Sequence, residues 1–530
     1  MKVPVHSRTF WCDTCHVPLL GKLCHACGVV GRDLSSAAFV PVFRPEINYL
    51  KKRVIPELHS FLHELETWVT PTNYTYYGHG AALFRLSATT ADVNSYATLK
   101  RSRHHRRSRE ETLALFQKAN KIYVEQMQYE AEHFIRETVR THRGRPVLVS
   151  FSGGKDSTVT SHLVMNALGR SDILHVFADT TIEFPDTYQY LQEFQNEHPL
   201  TPFINSRSQL DFFQTAEAIG PPSRILRWCC STHKTNPLAK IISSLSPEQG
   251  VLTFDGVRKA ESVRRSKYQR ISIKHKIANE ILASPIIEWS ELAVWIYLLF
   301  HGLNFNKAYT KGFRRVGCLY CPFNSDWSCK MTQFRYPRQY QRWQTFLLEQ
   351  GERMGHPNPD NFAANGWRCR AGGRGLDHYK TSIESTPCLL SDTAISYQVL
   401  CGDSRKVGHF FRPLGPQTQI RSNGHSETFL IHDHQTNEML ASVEVSFEDK
   451  AIRINYLLEK GKRIFQQRVE RQLKKLQSCI HCGACSAKCR LKAIAVLNED
   501  FAIDTNKCIS CLDCVKHKCP AVESLMKKGK

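Results

Sequence analysis

Residues 146–157 combine most of the groups that proteins use to bind phosphate. Their sequence, PVLVSFSGGKDS, is an apolar run that ends in two adjacent glycines. Glycines let backbone N–H groups approach an anion closely, and the N terminus of a following helix attracts negative charge. Lys155 adds a cation, Ser152 and Ser157 add hydroxyl groups, and Asp156 could hold a divalent ion that bridges phosphates. The pattern predicts a nucleotide phosphate site.

A strand and a helix must position this loop. Residues 147–149 are apolar and β-branched, which is typical of a buried parallel strand, and residues 158–168 are predicted to be a helix. Residues 173–179 indicate a second strand. An ordinary strand-to-helix turn is the alternative, and the full ligand set of SGGKDS disfavours it. We therefore expect a doubly wound α/β domain at residues 110–350, with the loop at the carboxyl ends of its parallel strands.

SGGKDS resembles the PP-loop of the adenine-nucleotide alpha hydrolase superfamily, which includes ATP pyrophosphatases and the phosphoadenylyl-sulfate (PAPS) and adenylyl-sulfate (APS) reductases. It is not a Walker A loop, because its glycines are adjacent. The resemblance continues through DTTIEFPDTY at residues 179–188, DGVRKAESVRR at 255–265 and GLNFNKAYTKGFRRVGCLYCPF at 302–323. It implies Lys155, Asp156, Asp179 and Arg258 as catalytic residues. The implied nucleotide contacts are Ser152, Gly153, Gly154, Lys155, Asp156, Ser157, Asp179, Arg264 and Arg265.

The chain departs from the sulfonucleotide reductases in two respects. Those enzymes resemble one another in a carboxy-terminal Glu-Cys-Gly-(Ile/Leu)-His tail, whose cysteine attacks the sulfonate, and the sequence has no such motif. They also tend to carry a degenerate PP-loop, whereas SGGKDS is complete. Cys369, Cys388 and Cys401 could carry sulfur or could be small core residues. Both departures favour ATP with Mg²⁺ over PAPS or APS.

Sixteen of the 20 cysteines fall into metal-ligand spacings. The first four are two CxxC knuckles, Cys12, Cys15, Cys24 and Cys27, which suit a tetrahedral zinc ion in a zinc ribbon at residues 1–35. A redox CxxC pair is the alternative. Cys229 and Cys230 are adjacent, and Cys318-x2-Cys321 follows later in the same predicted domain. This arrangement resembles that of adenylyl-sulfate reductases and DNA phosphorothioation proteins, which implies a [4Fe-4S] cluster; four buried thiols are the alternative.

The last eight patterned cysteines resemble a bacterial two-cluster ferredoxin, which implies a 2×[4Fe-4S] α+β domain at residues 477–530. In that family the fourth cysteines cross over, so the implied ligand sets are Cys479, Cys482, Cys485 and Cys519, and Cys508, Cys511, Cys514 and Cys489. Two features depart from the family: Arg490 stands where proline is usual, and the second half has one extra residue before its last cysteine. Zinc is the alternative metal.

The remaining segments are less specific. Residues 36–109 suggest a small β-rich module and a basic linker, and residues 110–143 a helix with apolar positions that include Ile122. Residues 351–476 read as a connector, in which 351–405 are rich in Gly, Pro and Asn and suggest a linker or mobile loop. Residues 409–455 alternate like strands, with a hairpin turn favoured over a metal site at His432 and His434. Residues 455–477 indicate an amphipathic helix that includes Leu457 and Ile464.

The net charge of +22 predicts an anionic partner, nucleic acid first. One zinc site and three clusters would lower this charge to about +14. Arg101, Arg103, Arg106, Arg107 and Arg109 are predicted phosphate-backbone contacts, with an exposed linker as the alternative. The amino terminus has no signal-peptide core and no apolar run is long enough for a membrane span, so we expect a cytoplasmic protein.

Together these patterns predict ATP-dependent adenylylation coupled to iron-sulfur-assisted sulfur transfer, onto a DNA backbone or a tRNA base. A cysteine desulfurase is a candidate sulfur donor. The alternatives are a ferredoxin-fused PAPS or APS reductase that releases sulfite, and a redox-sensing nucleic-acid-binding protein.

Overall fold

The computed structural model describes residues 8–34, 38–54, 62–78, 80–87, 93–96, 107–246, 249–273, 277–388, 391–458, 460–497 and 500–527. Within these residues the chain forms five β-sheets. Arg101, Arg103 and Arg106 of the predicted nucleic-acid contact lie outside the described residues.

The N-terminal part consists of two small antiparallel sheets. The first has the order β2-β1-β3 and contains β1 (Phe10–Cys12), β2 (Val17–Leu19) and β3 (Arg32–Asp33). The second has five strands in sequential order, with α1 (Arg44–Arg53) after the first of them: β4 (Val40–Pro41), β5 (Thr67–Val69), β6 (Thr75–Gly78), β7 (Ala81–Leu86) and β8 (Val93–Tyr96). Strands therefore occur where the sequence alternates at residues 68–77 and 81–86.

The long helix α2 (Arg109–Thr141) leads into the central domain. Ser108 begins it with a capping box, because the Ser108 hydroxyl accepts the N–H of Glu111 and the Glu111 carboxylate accepts the N–H of Ser108. The helix buries Phe116 and Val124. Ile122, predicted on the apolar face, is exposed. It lies two residues before the buried Val124, which places it about 200° around the helix axis from that residue.

A six-stranded sheet forms the centre of the α/β domain and confirms the predicted fold class. Its order is β11-β10-β9-β12-β14-β13, and all strands are parallel except β13 at the edge. The strands are β9 (Val147–Ser150), β10 (Leu174–Asp179), β11 (Phe203–Arg207), β12 (Val251–Phe254), β13 (Ile271–Ile273) and β14 (Glu280–Ala283). The helices are α3 (Lys155–Leu168), α4 (Pro185–Glu197), α5 (Phe212–Ile219), α6 (Trp228–Cys230), α7 (Asn236–Leu245), α8 (Glu291–Phe300), α9 (Asp326–Arg335) and α10 (Pro337–Arg353), with a π-helical turn at Ser231–Thr235 between α6 and α7.

The composition of residues 351–405 suggested a linker or a mobile loop, and the structure gives this segment regular elements. It contains α11 (Pro359–Ala364), β15 (Glu384–Pro387) and β16 (Ala394–Gln398). The segment also holds a buried arginine: the Arg370 guanidinium donates to the carbonyl groups of Ile219 and Pro221 at 2.9 Å each and to that of Ser524 at 3.2 Å. These bonds fix the segment between the α/β domain and the C terminus.

An antiparallel six-stranded sheet follows, in the order β15-β16-β20-β19-β18-β17. Its other strands are β17 (Gln417–Ser422), β18 (Ser426–His432), β19 (Met439–Ser446) and β20 (Ala451–Tyr456), and α12 (Val407–Phe411) precedes them. The turn between β18 and β19 contains His434, and the Asp433 N–H donates to the Glu438 carbonyl at 2.8 Å, which is the hairpin arrangement expected there.

The C-terminal helix α13 (Lys462–Ser478) begins later than predicted, because Tyr456 still belongs to β20 and Gly461 caps the helix in the left-handed region. Leu457 therefore lies outside the helix, and Ile464 is exposed. The cysteine-rich end contains β21 (Ile494–Leu497) and β22 (Asp500–Ile503), which form a hairpin, and α14 (Asp513–Lys516) and α15 (Pro520–Leu525).

A buried ion pair joins the five-stranded module to the α/β domain. Glu46 of α1 is fully buried and pairs with the guanidinium of Arg314, whose side chain is 8% exposed. The Tyr76 hydroxyl of β6 donates to the same carboxylate at 2.7 Å. Because a buried charge is stable only when it is paired, this contact fixes the position of the module.

Replacing Arg314 with Met should destabilise the protein by about 3 to 5 kcal/mol, because it leaves the Glu46 carboxylate buried without a cation. The midpoint of urea unfolding, followed by tryptophan fluorescence, measures the loss. Lys121→Met is the matched control: it breaks an exposed pair with Glu125, with side chains 62% and 55% exposed, and should cost less than about 1 kcal/mol. Equal midpoints in the two variants would contradict the role of the buried pair.

Candidate functional site

The glycine-rich loop lies between β9 and α3, at the carboxyl ends of the parallel strands. Gly153 has φ of +68°, a conformation that glycine adopts without strain. The amide of Asn306 donates to the Gly153 carbonyl at 3.1 Å, and the Tyr309 hydroxyl accepts the N–H of Lys155 at 3.1 Å. The Ser157 hydroxyl donates to the Gly154 carbonyl at 2.8 Å. The loop shape is therefore fixed from both sides.

Two cations and two carboxylates meet at the start of α3. The Lys155 ammonium lies 2.6 Å from Asp156 Oδ2 and 3.3 Å from Glu291 Oε1. The Arg258 guanidinium lies 2.5 Å from Asp156 Oδ1 and 2.5 Å from Glu291 Oε2. The side chains of Lys155 and Arg258 are 4% and 2% exposed. The charges balance, which makes their burial possible.

The pKa values reflect this balance. Burial by itself raises the pKa of Asp156, but the charges of Arg258 and Lys155 outweigh it and hold the pKa at about 2. Burial lowers the pKa of Lys155, and the carboxylates of Asp156 and Glu291 more than restore it, so the pKa lies above its ordinary value. Lys155 is therefore a cation at neutral pH.

Asp156 does not present an open carboxylate to the Mg²⁺ ion predicted from the sequence. Its two oxygens accept from Arg258 and Lys155 respectively. Arg258 is likewise buried and pairs with Asp156 and Glu291, and its predicted catalytic role stays a prediction. Arg264 is exposed on the following turn, and the neighbouring Arg265 pairs with Glu261. The predicted contacts of these arginines with a nucleotide remain predictions.

Asp179 and Glu183 extend the site along the end of β10. Asp179 Oδ1 accepts the N–H of Thr181 at 2.7 Å and the hydroxyl of Tyr188 at 2.8 Å. Thr181 has φ of +66°, which is uncommon for a non-glycine residue and is often found at functional sites. Glu183 is buried and accepts the Thr180 hydroxyl at 2.7 Å.

Glu183 also connects the phosphate side of the domain to the Cys229 set, which we define as Cys229, Cys230, Cys318 and Cys321. Glu183 and Cys318 form an isolated β-bridge, and their side chains lie 3.6 Å apart. A hydrogen bond with the Cys230 side chain and burial raise the pKa of Cys229, and the nearby thiols of Cys230, Cys318 and Cys321 raise it further. The structure thus brings all members of the set together.

Cations surround the Cys229 set. Lys234 lies 3.6 Å from Glu183, and the Cys318 and Cys230 thiols help to raise its pKa against the opposing effect of burial. Arg227 donates to Cys230 Sγ at 3.5 Å. Positive charge at these positions suits four thiolates, which carry more negative charge than the iron they bind.

The four N-terminal cysteines fit a single zinc ion. Their sulfur atoms all lie within 4.8 Å of one another, with Cys12 and Cys27 at 3.5 Å and Cys15 and Cys24 at 3.7 Å. Zn–S bonds of about 2.3 Å in a tetrahedron separate the sulfurs by about 3.8 Å. Among the described residues no other group of three or more ligands converges this closely.

The C-terminal cysteines lie close together, and their crossed assignment to two clusters stays a prediction. Cys479, Cys482, Cys485 and Cys519, the Cys479 set, line one apolar cavity, which Cys514 also lines. Burial, with the neighbouring thiols, raises the pKa of Cys479, Cys482 and Cys485 to about 12. Cys514 is near the thiols of Cys489, Cys508 and Cys511, the other members of the Cys508 set, and its pKa is also raised to about 12, mainly by burial. Both sets fit [4Fe-4S] clusters by their donors.

Three groups that contact the loop were not found from the sequence. Glu291 occupies the first turn of α8, where an acidic residue after the Ser290 cap is explained by the helix dipole alone. Tyr309 and Asn306 lie in GLNFNKAYTKGF, which the family resemblance marked without assigning roles. The lone cysteines differ: Cys369 is exposed, while Cys388 and Cys401 are half-buried.

Comparisons with known proteins agree with this geometry. Residues 146–324 match the family model of the phosphoadenosine phosphosulfate reductase domain. Two uncharacterized proteins of Methanocaldococcus jannaschii are 37% and 29% identical, over 46% and 47% of this chain and 50% and 58% of their own lengths. The chain thus spans about half of these relatives. An adenosine 5'-phosphosulfate reductase of Bacillus mycoides is 27% identical over 33% of this chain and 72% of its own.

The phosphoadenylyl-sulfate reductase of Candida auris superposes with a TM-score of 0.29 and 15% identity, over 40% of this chain and 97% of that one. Among the described residues, no helix combines the length and apolar character that a bilayer crossing needs. By its match to the family model, the α/β domain at residues 146–324 is similar to the phosphoadenosine phosphosulfate reductase domain.

Proposed function

We propose that this protein activates an acceptor with ATP and replaces an acceptor oxygen with sulfur, using electrons supplied through iron-sulfur clusters. One observation supports the proposal: the segment that contacts the glycine-rich loop also carries Cys318, a predicted cluster ligand. Tyr309 binds the N–H of Lys155, and the carbonyl of Val316 lies 3.9 Å from the position of a Cβ on Gly154. Cys318 follows two residues later. Residues 309–318 would therefore contact both the nucleotide site and the redox centre.

The reaction balances in three steps. An acceptor oxygen attacks the α-phosphate of ATP and releases pyrophosphate. A persulfide donor, such as a cysteine desulfurase, takes two electrons and two protons and releases sulfide. Sulfide then displaces AMP from the acceptor. Lys155 would stabilise the charge that develops on the departing pyrophosphate, because a fixed cation in a buried site stabilises charge more strongly than water does.

Nucleic acid is the proposed acceptor. The net charge of +22 supports this, together with the arginine run at residues 101–109. Of that run, Arg109 is exposed in the first turn of α2, whereas Arg107 donates to the Cys15 carbonyl at 2.5 Å. Arg107 therefore connects the run to the zinc ribbon.

Sulfonucleotide reduction is the second candidate, because the matched relatives include adenosine 5'-phosphosulfate reductases. In this reaction PAPS or APS would occupy the loop and sulfite would be released. The nucleotide that is consumed separates the two functions.

Replacing Lys155 with Ala should lower the rate of pyrophosphate release from ATP by about 100- to 1000-fold, because the leaving group loses its cation. The assay supplies ATP, a persulfide donor, a reductant and nucleic acid, and measures pyrophosphate under single-turnover conditions. Lys240→Ala is the matched control, since Lys240 is exposed on α7. It should leave the rate unchanged.

Parallel assays with PAPS and APS complete this test. If wild-type protein ignores ATP and releases sulfite from either compound, sulfur insertion is wrong and the reductase function stands. If no nucleotide is consumed while nucleic acid is bound in a cluster-dependent way, the protein is a redox-sensing binder.

Anaerobically purified protein should contain close to twelve iron atoms and one zinc, because the cysteine sets fit three [4Fe-4S] clusters and one zinc ion. Changing Cys318 and Cys321 to Ser should remove about a third of the iron. Cys369→Ser, at an exposed cysteine outside every set, is the control and should keep all of it. Iron near eight in the wild type would remove the cluster at the Cys229 set.

Replacing Arg101, Arg103, Arg106 and Arg109 with Gln should weaken duplex DNA binding and reduce the slope of log K against log salt by about 0.9 per lost phosphate contact. Arg107 is kept because it binds the zinc ribbon. Binding at several salt concentrations measures the slope. A slope equal to that of the wild type would mean that the run is a solvated linker.

A further inference from the structure

One helical segment touches two cysteine sets. It consists of α6, which carries Cys229 and Cys230, the π-helical turn Ser231–Thr235, and α7. At the start of α7, the Asn236 amide donates to the Cys482 carbonyl at 2.8 Å. The hydroxyl of Thr232 is buried and lies within hydrogen-bonding reach of the Cys482 thiol. Thr232 is two residues from Cys230, about 3 Å along the helix axis.

The contact is closely packed. Gly483 has φ of +68°, and a Cβ there would lie 2.5 Å from the Asn236 amide nitrogen. Further along the segment, the Lys492 ammonium donates to the Ser243 carbonyl at 2.9 Å. On the other side, α15, which begins directly after Cys519, packs against α6. The Cys479 set is therefore held next to the Cys229 set by contacts at Cys482 and after Cys519.

A buried cation joins the Cys479 set to the Cys508 set. Lys475 of α13 is 8% exposed, and its ammonium donates to the Cys514 carbonyl. It lines the cavity of the Cys479 set and influences the thiols of Cys479, Cys485 and Cys514. Cys485 and Cys514 are themselves near enough to interact. Cys511 of the Cys508 set is exposed.

We propose that electrons pass from the Cys508 set to the Cys479 set and across the Thr232–Asn236 contact to the Cys229 set. Each step moves one electron and forms or breaks no bond: the donor set is oxidised as the next is reduced. A low-potential one-electron donor protein would supply the electrons at the exposed Cys511 side. The proposal rests on the proposed function only in that all three sets hold clusters.

Thr232 is a positioning residue in this route. Hydrogen bonds to cluster sulfurs are among the factors that set reduction potentials. The buried Thr232 hydroxyl is placed to donate to the Cys482 thiolate, which would spread its negative charge and favour the reduced state. Thr232 would therefore make the Cys479 set easier to reduce.

The test is a potentiometric titration of the anaerobic full-length protein with dithionite, followed by electron paramagnetic resonance. In reduced wild type we expect magnetic splitting from neighbouring clusters of the Cys479 and Cys229 sets, and we expect this splitting to disappear in the Cys318→Ser, Cys321→Ser double variant. Thr232→Val should lower the midpoint potential of one ferredoxin cluster. Thr138→Val is the matched control, because Thr138 is a buried helical threonine whose hydroxyl donates to the Phe134 carbonyl. Its potentials should equal those of the wild type.

Two results would overturn the proposal. The first is a wild-type spectrum whose splittings persist unchanged in the double variant, although that variant has lost a third of its iron. The second is a midpoint potential in Thr232→Val equal to that of Thr138→Val, with full iron in both. Neither readout requires nucleotide turnover. Failure of ATP consumption with an intact splitting would leave the route standing and refute only the proposed sulfur chemistry.

Discussion

Two buried cations and two partly buried carboxylates at the start of α3 hold the site together. Lys155 and Arg258 each pair with both Asp156 and Glu291, and these residues come from three separate stretches of the chain. Losing any one of them would leave an uncompensated charge in a poorly solvated site. The loop, the turn after β12 and the start of α8 must therefore fold as one unit. An incoming polyphosphate would meet a lysine whose position is already fixed.

The need to pair buried charges also explains why cations lie beside the cysteine sets. Lys234 and Arg227 lie beside the Cys229 set, and Lys475 lies between the two C-terminal sets. Thiolates bound to iron leave net negative charge, and a buried environment screens it poorly. The Cys229 set thus has two cations beside it, and the two C-terminal sets share one cation from α13.

The five-stranded module and residues 351–405 are each anchored to the rest of the protein through the polar contacts of one buried arginine. Glu46 and Arg314 fix the five-stranded module, and Arg370 fixes residues 351–405 through three carbonyls in two distant segments, Ile219 and Pro221 in one and Ser524 in the other. A composition rich in Gly, Pro and Asn predicts turns but not whether those turns are packed. In residues 351–405 the turns are packed, because the buried Arg370 guanidinium bonds to carbonyls of other segments.

The sequence by itself determined the local chemistry. The SGGKDS loop after an apolar strand, the parallel α/β domain and the zinc spacing of Cys12, Cys15, Cys24 and Cys27 depend on residues close in the chain, where strand and helix periods and ligand spacing are readable. Only the tertiary structure decided the long-range partners. Glu291 lies 136 positions from Lys155, and Asn236 lies 246 from Cys482, so no local pattern could pair them. It also showed that Arg258 and Asp156 neutralise each other, because burial, which a sequence does not display, makes charge pairing compulsory.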